Sequence, residues 1–237
     1  MQESWSSSSS HLHVVCSFTS PPHSFVSIVL PTGAQKHDDN GAKAEVEQKH
    51  ALAKGTICEF EEKKRVHVGK ITASEHKSNG GVRYTVEEAG GKSFSVADKQ
   101  VNFAVAAPAA DGKAEKMLAD FEVAMAASVT DLSKALDVDP ETLELTWETA
   151  AEDDAHDHSL TAKSFIDLVH SRAPTSALET YRAWRLLCSD LAHVFFKSVK
   201  NHGRVESFKA KAVEAVDAAK ITFCNKDEHS DDDFCFV

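Results

Sequence analysis

The stretch from Asp139 to Phe208 constrains the fold most, because its punctuation fixes an order of elements. Asp139-Pro140 is an N-cap followed by proline at the first helical position, and Leu143, Trp147 and Ala150 then return on one helical face. The acidic run from Glu152 to His158 reads as a loop. Thr161 caps a second helix that buries Phe165, Leu168 and Val169. Pro174 opens a third, with Leu178, Tyr181, Trp184 and Leu187 or Cys188 inward, and Ser189-Asp190 stops it. His193–Val199 reads as a strand, Asn201-His202-Gly203 as a turn whose glycine supplies positive φ, and Val205–Phe208 as the returning strand. Three short helices and a hairpin that share a core have the order of a winged helix, a helix-turn-helix variant.

The region before it changes period. Thr56–Phe60, Val66–Ile71 and Val82–Val86 alternate apolar and polar residues. Phe94 with Val96, and Val101, Phe103 and Val105, continue the pattern, with turns at Asn79-Gly80-Gly81 and Gly90-Gly91. Five short strands in so little chain favour a small closed or half-closed barrel over a fragment of a β-sandwich. Pro108–Gly112 breaks the pattern. A helix with Leu118, Phe121 and Met125 on one face follows, then a short helix near Asp131–Leu136, and Lys209–Lys220 reads as a last helix. The expected class is α+β, a small SH3-like barrel followed by a winged-helix domain. The expected domains are a disordered tail or targeting segment over 1–53, the barrel over 54–106, a helical connector over 107–138, the winged helix over 139–220, and an acidic tail over 221–237.

Charge separates these parts more sharply than the net −11 suggests. Residues 111–158 carry three Lys and Arg against fourteen Asp and Glu, whereas residues 159–220 carry ten against six. An anionic ligand avoids the first block and favours the second. The hairpin and the start of the last helix hold Lys197, Lys200, Arg204, Lys209 and Lys211 against one acid, Glu206. Arg182 and Arg185 lie three apart, on the side that periodicity makes the outer face of the third helix, and Lys63-Lys64-Arg65 forms a basic hairpin tip on the barrel. These ten cations are the candidate nucleic-acid-contacting residues. The competing readings are ordinary solvated charges and a protein-docking winged helix.

Other chemistry is thin. Five cysteines have no paired spacing and read as reduced thiols in an intracellular compartment. Cys188 reads as a buried thiol rather than a nucleophile. His156-Asp157-His158 with Asp153 and Asp154 reads as a hydrated loop rather than a metal site, and His11 and His13 read the same way. Gly80-Gly81 and Gly90-Gly91 lack the context of a phosphate loop. Trp147, Tyr181, Trp184, Phe60, Tyr84 and Phe103 could stack bases, but their periodicity favours packing. No apolar run reaches the roughly 20 residues of a bilayer span, so no membrane partner is expected. The serine-rich, acid-poor start hints at import into a plastid or mitochondrion, and its lack of arginine argues against a standard transit peptide.

A small barrel followed by this winged helix resembles the N-terminal region of ribonuclease II-type exoribonucleases, in particular their cyanobacterial and organellar branch. Gly55–Phe60, Val66–Ile71, Asp139–Glu148, Tyr181, Leu186–Asp190 and Phe195-Phe196-Lys197 carry the resemblance, which covers about residues 54–220. It implies a region placed ahead of a catalytic domain that degrades RNA from its 3′ end with aspartate-held magnesium. No position here matches that domain, so no catalytic residue and no cofactor is expected in this chain. The runs Glu152–Asp154 and Asp231–Asp233 lack the fixed, dry geometry that metal-assisted cleavage requires. The expected function is an RNA-binding accessory region, as a fragment, truncated product or separate subunit, with single-stranded RNA and a nuclease domain or another protein as partners. The alternative is a non-catalytic interaction module of organellar RNA metabolism that docks a protein through acidic residues 113–151.

Overall fold

The computed structural model describes residues 51–78, 80–106, 111–153, 157–201 and 203–227, all within one unit, Glu45–Val237. The expected N-terminal tail up to residue 50, the acidic end from residue 228, turn residues Asn79 and His202, and loop residues 107–110 and 154–156 lie outside the described residues.

Strands β1 (Ile57–Glu62), β2 (Arg65–His76), β3 (Val82–Glu87), β4 (Ser93–Ala97) and β5 (Val101–Val105) form one antiparallel sheet in the order β4-β3-β2-β1-β5. Lys63 and Lys64, with φ of 51° and 64°, make the two-residue turn between β1 and β2, a geometry matched to strand twist. β2 is longer than its alternating core Val66–Ile71 suggested. A bulge at Thr72 bends it, so that its first half pairs with β1 and its second half with β3. A turn of 3-10 helix, Asp98–Gln100, joins edge strands β4 and β5, and the small barrel buries Cys58, Phe60, Ile71, Val82, Tyr84, Val86, Val96 and Val101.

Beyond the barrel come α1 (Asp111–Ala126), α2 (Val129–Leu136), α3 (Pro140–Ala151), β6 (Ser159–Leu160), α4 (Ala162–His170) and α5 (Ala177–Leu187). They are followed by α6 (Ala192–Phe195), β7 (Phe196–Asn201), β8 (Arg204–Ala210) and α7 (Val213–Asp227). The Asp139 carboxylate accepts from Thr142 N at 2.7 Å and caps α3, and Thr161 and Ser164 cap α4 reciprocally. α3 to α5 with the three-stranded sheet β6-β8-β7 make the winged helix, and the whole is α+β.

Several boundaries differ from the sequence reading. α5 starts at Ala177 and not at Pro174, because Ser176 is the residue that caps it. Ala192–Phe195 is a helical turn, so β7 begins only at Phe196. Lys209 and Ala210 belong to β8 because Lys209 pairs with Ser159 of β6 and Ala210 with Phe196 of β7; α7 starts only at Val213 and runs past Lys220 to Asp227. In α4 Ile166 is buried beside Phe165, while Leu168 is 40% exposed.

β1 joins the two layers. Cys58 and Phe60 point into the barrel core, while Ile57 belongs to the core shared with the helices. Glu59, on the same face as Ile57, is only 2% exposed. The alternation predicted one buried face, but helices cover the other as well.

Candidate nucleic-acid interface

A winged helix ordinarily offers its third helix to the major groove of a duplex. Here that helix, α5, is enclosed: no residue from Ala177 to Cys188 is exposed. It packs against α1, α2 and α4, and its Tyr181 and Trp184 rings lie 5.1 and 5.2 Å from Phe103 of β5. Phe121 of α1 stacks on Tyr181 at 4.4 Å. The Tyr181 hydroxyl donates to Glu59 Oε2 at 2.5 Å, and Trp184 Nε1 donates to Val205 O at 3.2 Å.

The same contacts absorb Arg185. Its Nη1 lies 3.5 Å from Glu59 Oε2 and its Nη2 donates to Met125 O at 3.0 Å. The placement of Arg185 on an outer face is therefore corrected: a carboxylate buried in the barrel wall draws it inward. Arg182 is half-buried. Burial raises the Glu59 pKa above 4.5, against the lowering effects of the Tyr181 hydrogen bond and the Arg185 charge. Burial likewise raises the Tyr181 phenol, reinforced by the Glu59 charge. The Cys58 and Cys188 thiols are each pushed up to about 12, chiefly by burial, which keeps them protonated and unreactive near neutrality.

The wing is divided. Arg204 pairs with the Asp98 carboxylate, which also accepts from the Tyr84 hydroxyl at 3.0 Å. Gly203 has φ +91°, and a Cβ there would fall 2.9 Å from Lys99 O, so the wing turn presses on the 3-10 turn of the barrel. Lys209 Nζ reaches Asp157 at 2.9 Å. Lys211 Nζ donates to His193 O, and burial lowers its pKa. Lys197 and Lys200 remain exposed, as do Lys63, Lys64 and Arg65 at the β1–β2 turn.

Two further contacts bear on those exposed cations. Lys197 sits directly opposite Lys209 in the β7–β8 ladder, a like-charge pairing that costs stability. Asp157 compensates Lys209 and leaves Lys197 facing solvent. The 3-10 turn links the two basic sites: Asp98 and Lys99 touch the wing, while Gln100 Nε2 donates to Glu61 O and to Glu62 Oε2, each at 3.0 Å, beside the β1–β2 turn.

The aromatic side chains weighed as stacking platforms are core. Phe60, Tyr84, Trp147, Tyr181 and Trp184 are all buried, and Phe103 is half-buried against α5. Among the described residues no group of three or more His, Cys, Asp or Glu converges on a metal position, and no helix is long and apolar enough to cross a membrane. Glu59 was missed from sequence, where its signal was weak: it is one of three glutamates in β1, set between Cys58 and Phe60.

Residues 131–215 match the family model of the ribonuclease II winged helix domain. The match runs from α2 to the start of α7 and leaves the barrel outside it. No curated protein and no solved structure matches the chain. The segment that matches the ribonuclease II winged helix domain thus has its third helix enclosed and Lys197 and Lys200 of its wing exposed.

Proposed function

We propose that this chain is an RNA-binding N-terminal region of a ribonuclease II-type 3′-to-5′ exoribonuclease. It guides single-stranded RNA, and hydrolysis is the work of a magnesium-dependent catalytic domain outside the described residues. The family match over residues 131–215 carries this reading. The geometry narrows it: with α5 enclosed, contact falls to Lys197 and Lys200 on the wing and to Lys63, Lys64 and Arg65 at the barrel turn. Such cations hold sugar-phosphate and do not read base edges, so binding is electrostatic and tolerant of sequence. An organellar compartment belongs to this proposal through the serine-rich, acid-poor start.

Fluorescence anisotropy with a labelled single-stranded RNA across a salt series tests it. Affinity is expected to fall steeply with salt. Lys197→Glu with Lys200→Glu should weaken binding at least about tenfold without lowering the urea midpoint, since a phosphate left uncontacted keeps its counterions and Lys197→Glu replaces a like-charge pair with Lys209 by an attractive one. Absence of binding at low salt would instead favour a second reading, in which the acidic helices dock a protein. The exposed apolar side chains Val123 (69%) and Leu145 (58%) on α1 and α3 support that alternative.

A further inference from the structure

A groove of about 530 Å³ opens where the β2–β3 turn meets the 3-10 turn of the barrel. Its cations are Lys77, Arg83 and Lys99, and none of them belongs to the basic tip or to the wing. Asp98 is the one acid among its lining residues, and that carboxylate is already engaged by Arg204 and the Tyr84 hydroxyl. Glu75 stands opposite Arg83 in the β2–β3 ladder, but the Arg83 guanidinium turns the other way, over β4. There its Nη1 donates to Ser95 Oγ at 3.0 Å, and its buried Nε has no hydrogen-bond partner. Among the described residues neither the Lys77 nor the Lys99 ammonium has an ion-pair partner, and both residues are exposed. Among the described residues, therefore, no carboxylate pairs with the Lys77, Arg83 or Lys99 charge.

Its shape fits a chain of phosphates. Gly80 and Gly81 line one side and present no side chain, so a backbone can come close. No aromatic ring lines it, so it offers no platform for bases. The wing turn adjoins it directly, because Gly203 rests on Lys99 and Arg204 on Asp98.

We infer that this groove carries the sugar-phosphate backbone of single-stranded RNA away from the wing and across the barrel, with Lys77, Arg83 and Lys99 as phosphate ligands. The inference rests on the RNA-binding reading above and adds a site on the barrel. Asp98 then serves twice. It anchors the wing through Arg204, and its own charge is neutralised where the strand would pass.

The test is anisotropy of a labelled oligouridylate against the whole chain and the Lys77→Ala, Lys99→Ala double variant over a salt series. A Lys116→Ala, Lys134→Ala variant, with the same charge change on exposed faces of α1 and α2, serves as control. The groove variant is expected to bind about tenfold more weakly. Its log–log salt slope should fall by about 1.4, since each single-strand phosphate contact contributes about 0.7. The control should keep the original slope. A groove variant that binds like the control overturns the groove while leaving the wing in place, provided Lys197→Glu with Lys200→Glu still weakens binding. An unmodified chain that fails to bind at low salt overturns the RNA reading and the groove together. Polyglutamate competing as well as RNA at matched charge would overturn the assignment of the groove to RNA.

Discussion

α5 and the β7–β8 wing belong to one winged helix, yet α5 is sealed between the barrel and three helices while the wing keeps an exposed basic edge. On α5, Arg185 is held by Glu59 and by the Met125 carbonyl. On the wing, Lys197 faces a second lysine and solvent. A cation paired with a buried carboxylate stabilises the fold, and withdrawing it exposes the cost of the partner left behind. A cation held near a like charge weakens the fold slightly and gains most from an external phosphate. The cations available to a ligand are therefore those the fold leaves uncompensated.

Arg185→Ala strikes at this contrast hardest. It leaves Glu59, which is 2% exposed, with neutral partners only, the Tyr181 hydroxyl and Asn102. Removing one member of a buried charge pair costs about 3 kcal/mol, to be read from urea denaturation at neutral pH, while RNA affinity of the folded fraction stays unchanged. Reduced affinity at unchanged stability would move α5 to the RNA face. The pH dependence has a definite sign. Glu59 in the folded chain keeps its proton above its usual 4.5, so the stability from protonated Glu59 is complete below 4.5 and is lost as pH rises through the raised value. The Arg185→Ala loss is therefore expected to shrink toward acid.

Gly203→Ala probes the join between wing and barrel. Positive φ and a Cβ 2.9 Å from Lys99 O together are expected to cost about 2 kcal/mol. Gly91→Ala, at φ +77° with nothing within 4 Å, should cost about 1 kcal/mol from backbone strain alone. Equal urea midpoints for the two would mean that the wing does not bear on the 3-10 turn.

The smallest effect concerns the start of α5. Glu179 accepts from Arg172 Nη2 at 2.6 Å and from Thr175 N at 2.6 Å. Led by the Arg172 hydrogen bond, these contacts lower its pKa from 4.5 to about 2. Its contribution is present above 4.5 and is lost as pH falls toward 2, so Glu179→Gln should flatten the acid limb of a stability–pH curve over that window. An unchanged limb would mean that the loop between α4 and α5 adds nothing to holding α5.

Much of the fold was legible in local signals. Asp139-Pro140 marked α3, alternation marked the strands of the barrel, and the residues around Asn201–Gly203 marked the wing. The misplaced pieces lacked such signals. β6 is two residues long, and its strand character comes only from pairing with β8. Ala192–Phe196, apolar but for His193, suits helix and strand equally, and the structure divides it between the two. The candidate site was legible as composition but not as availability. The basic wing could be read from sequence, whereas the sorting of its cations depends on Asp98, Asp157 and the His193 carbonyl.

The class of fold and the location of positive charge were already written in the chain, because caps, turns and periodicity act over a few residues. Which of those charges are free is a matter of long-range packing. Glu59 and Tyr181 meet across 122 residues of chain, and Asp98 and Arg204 across 106. Contacts at that separation form where packing brings two surfaces together, and no local pattern records them.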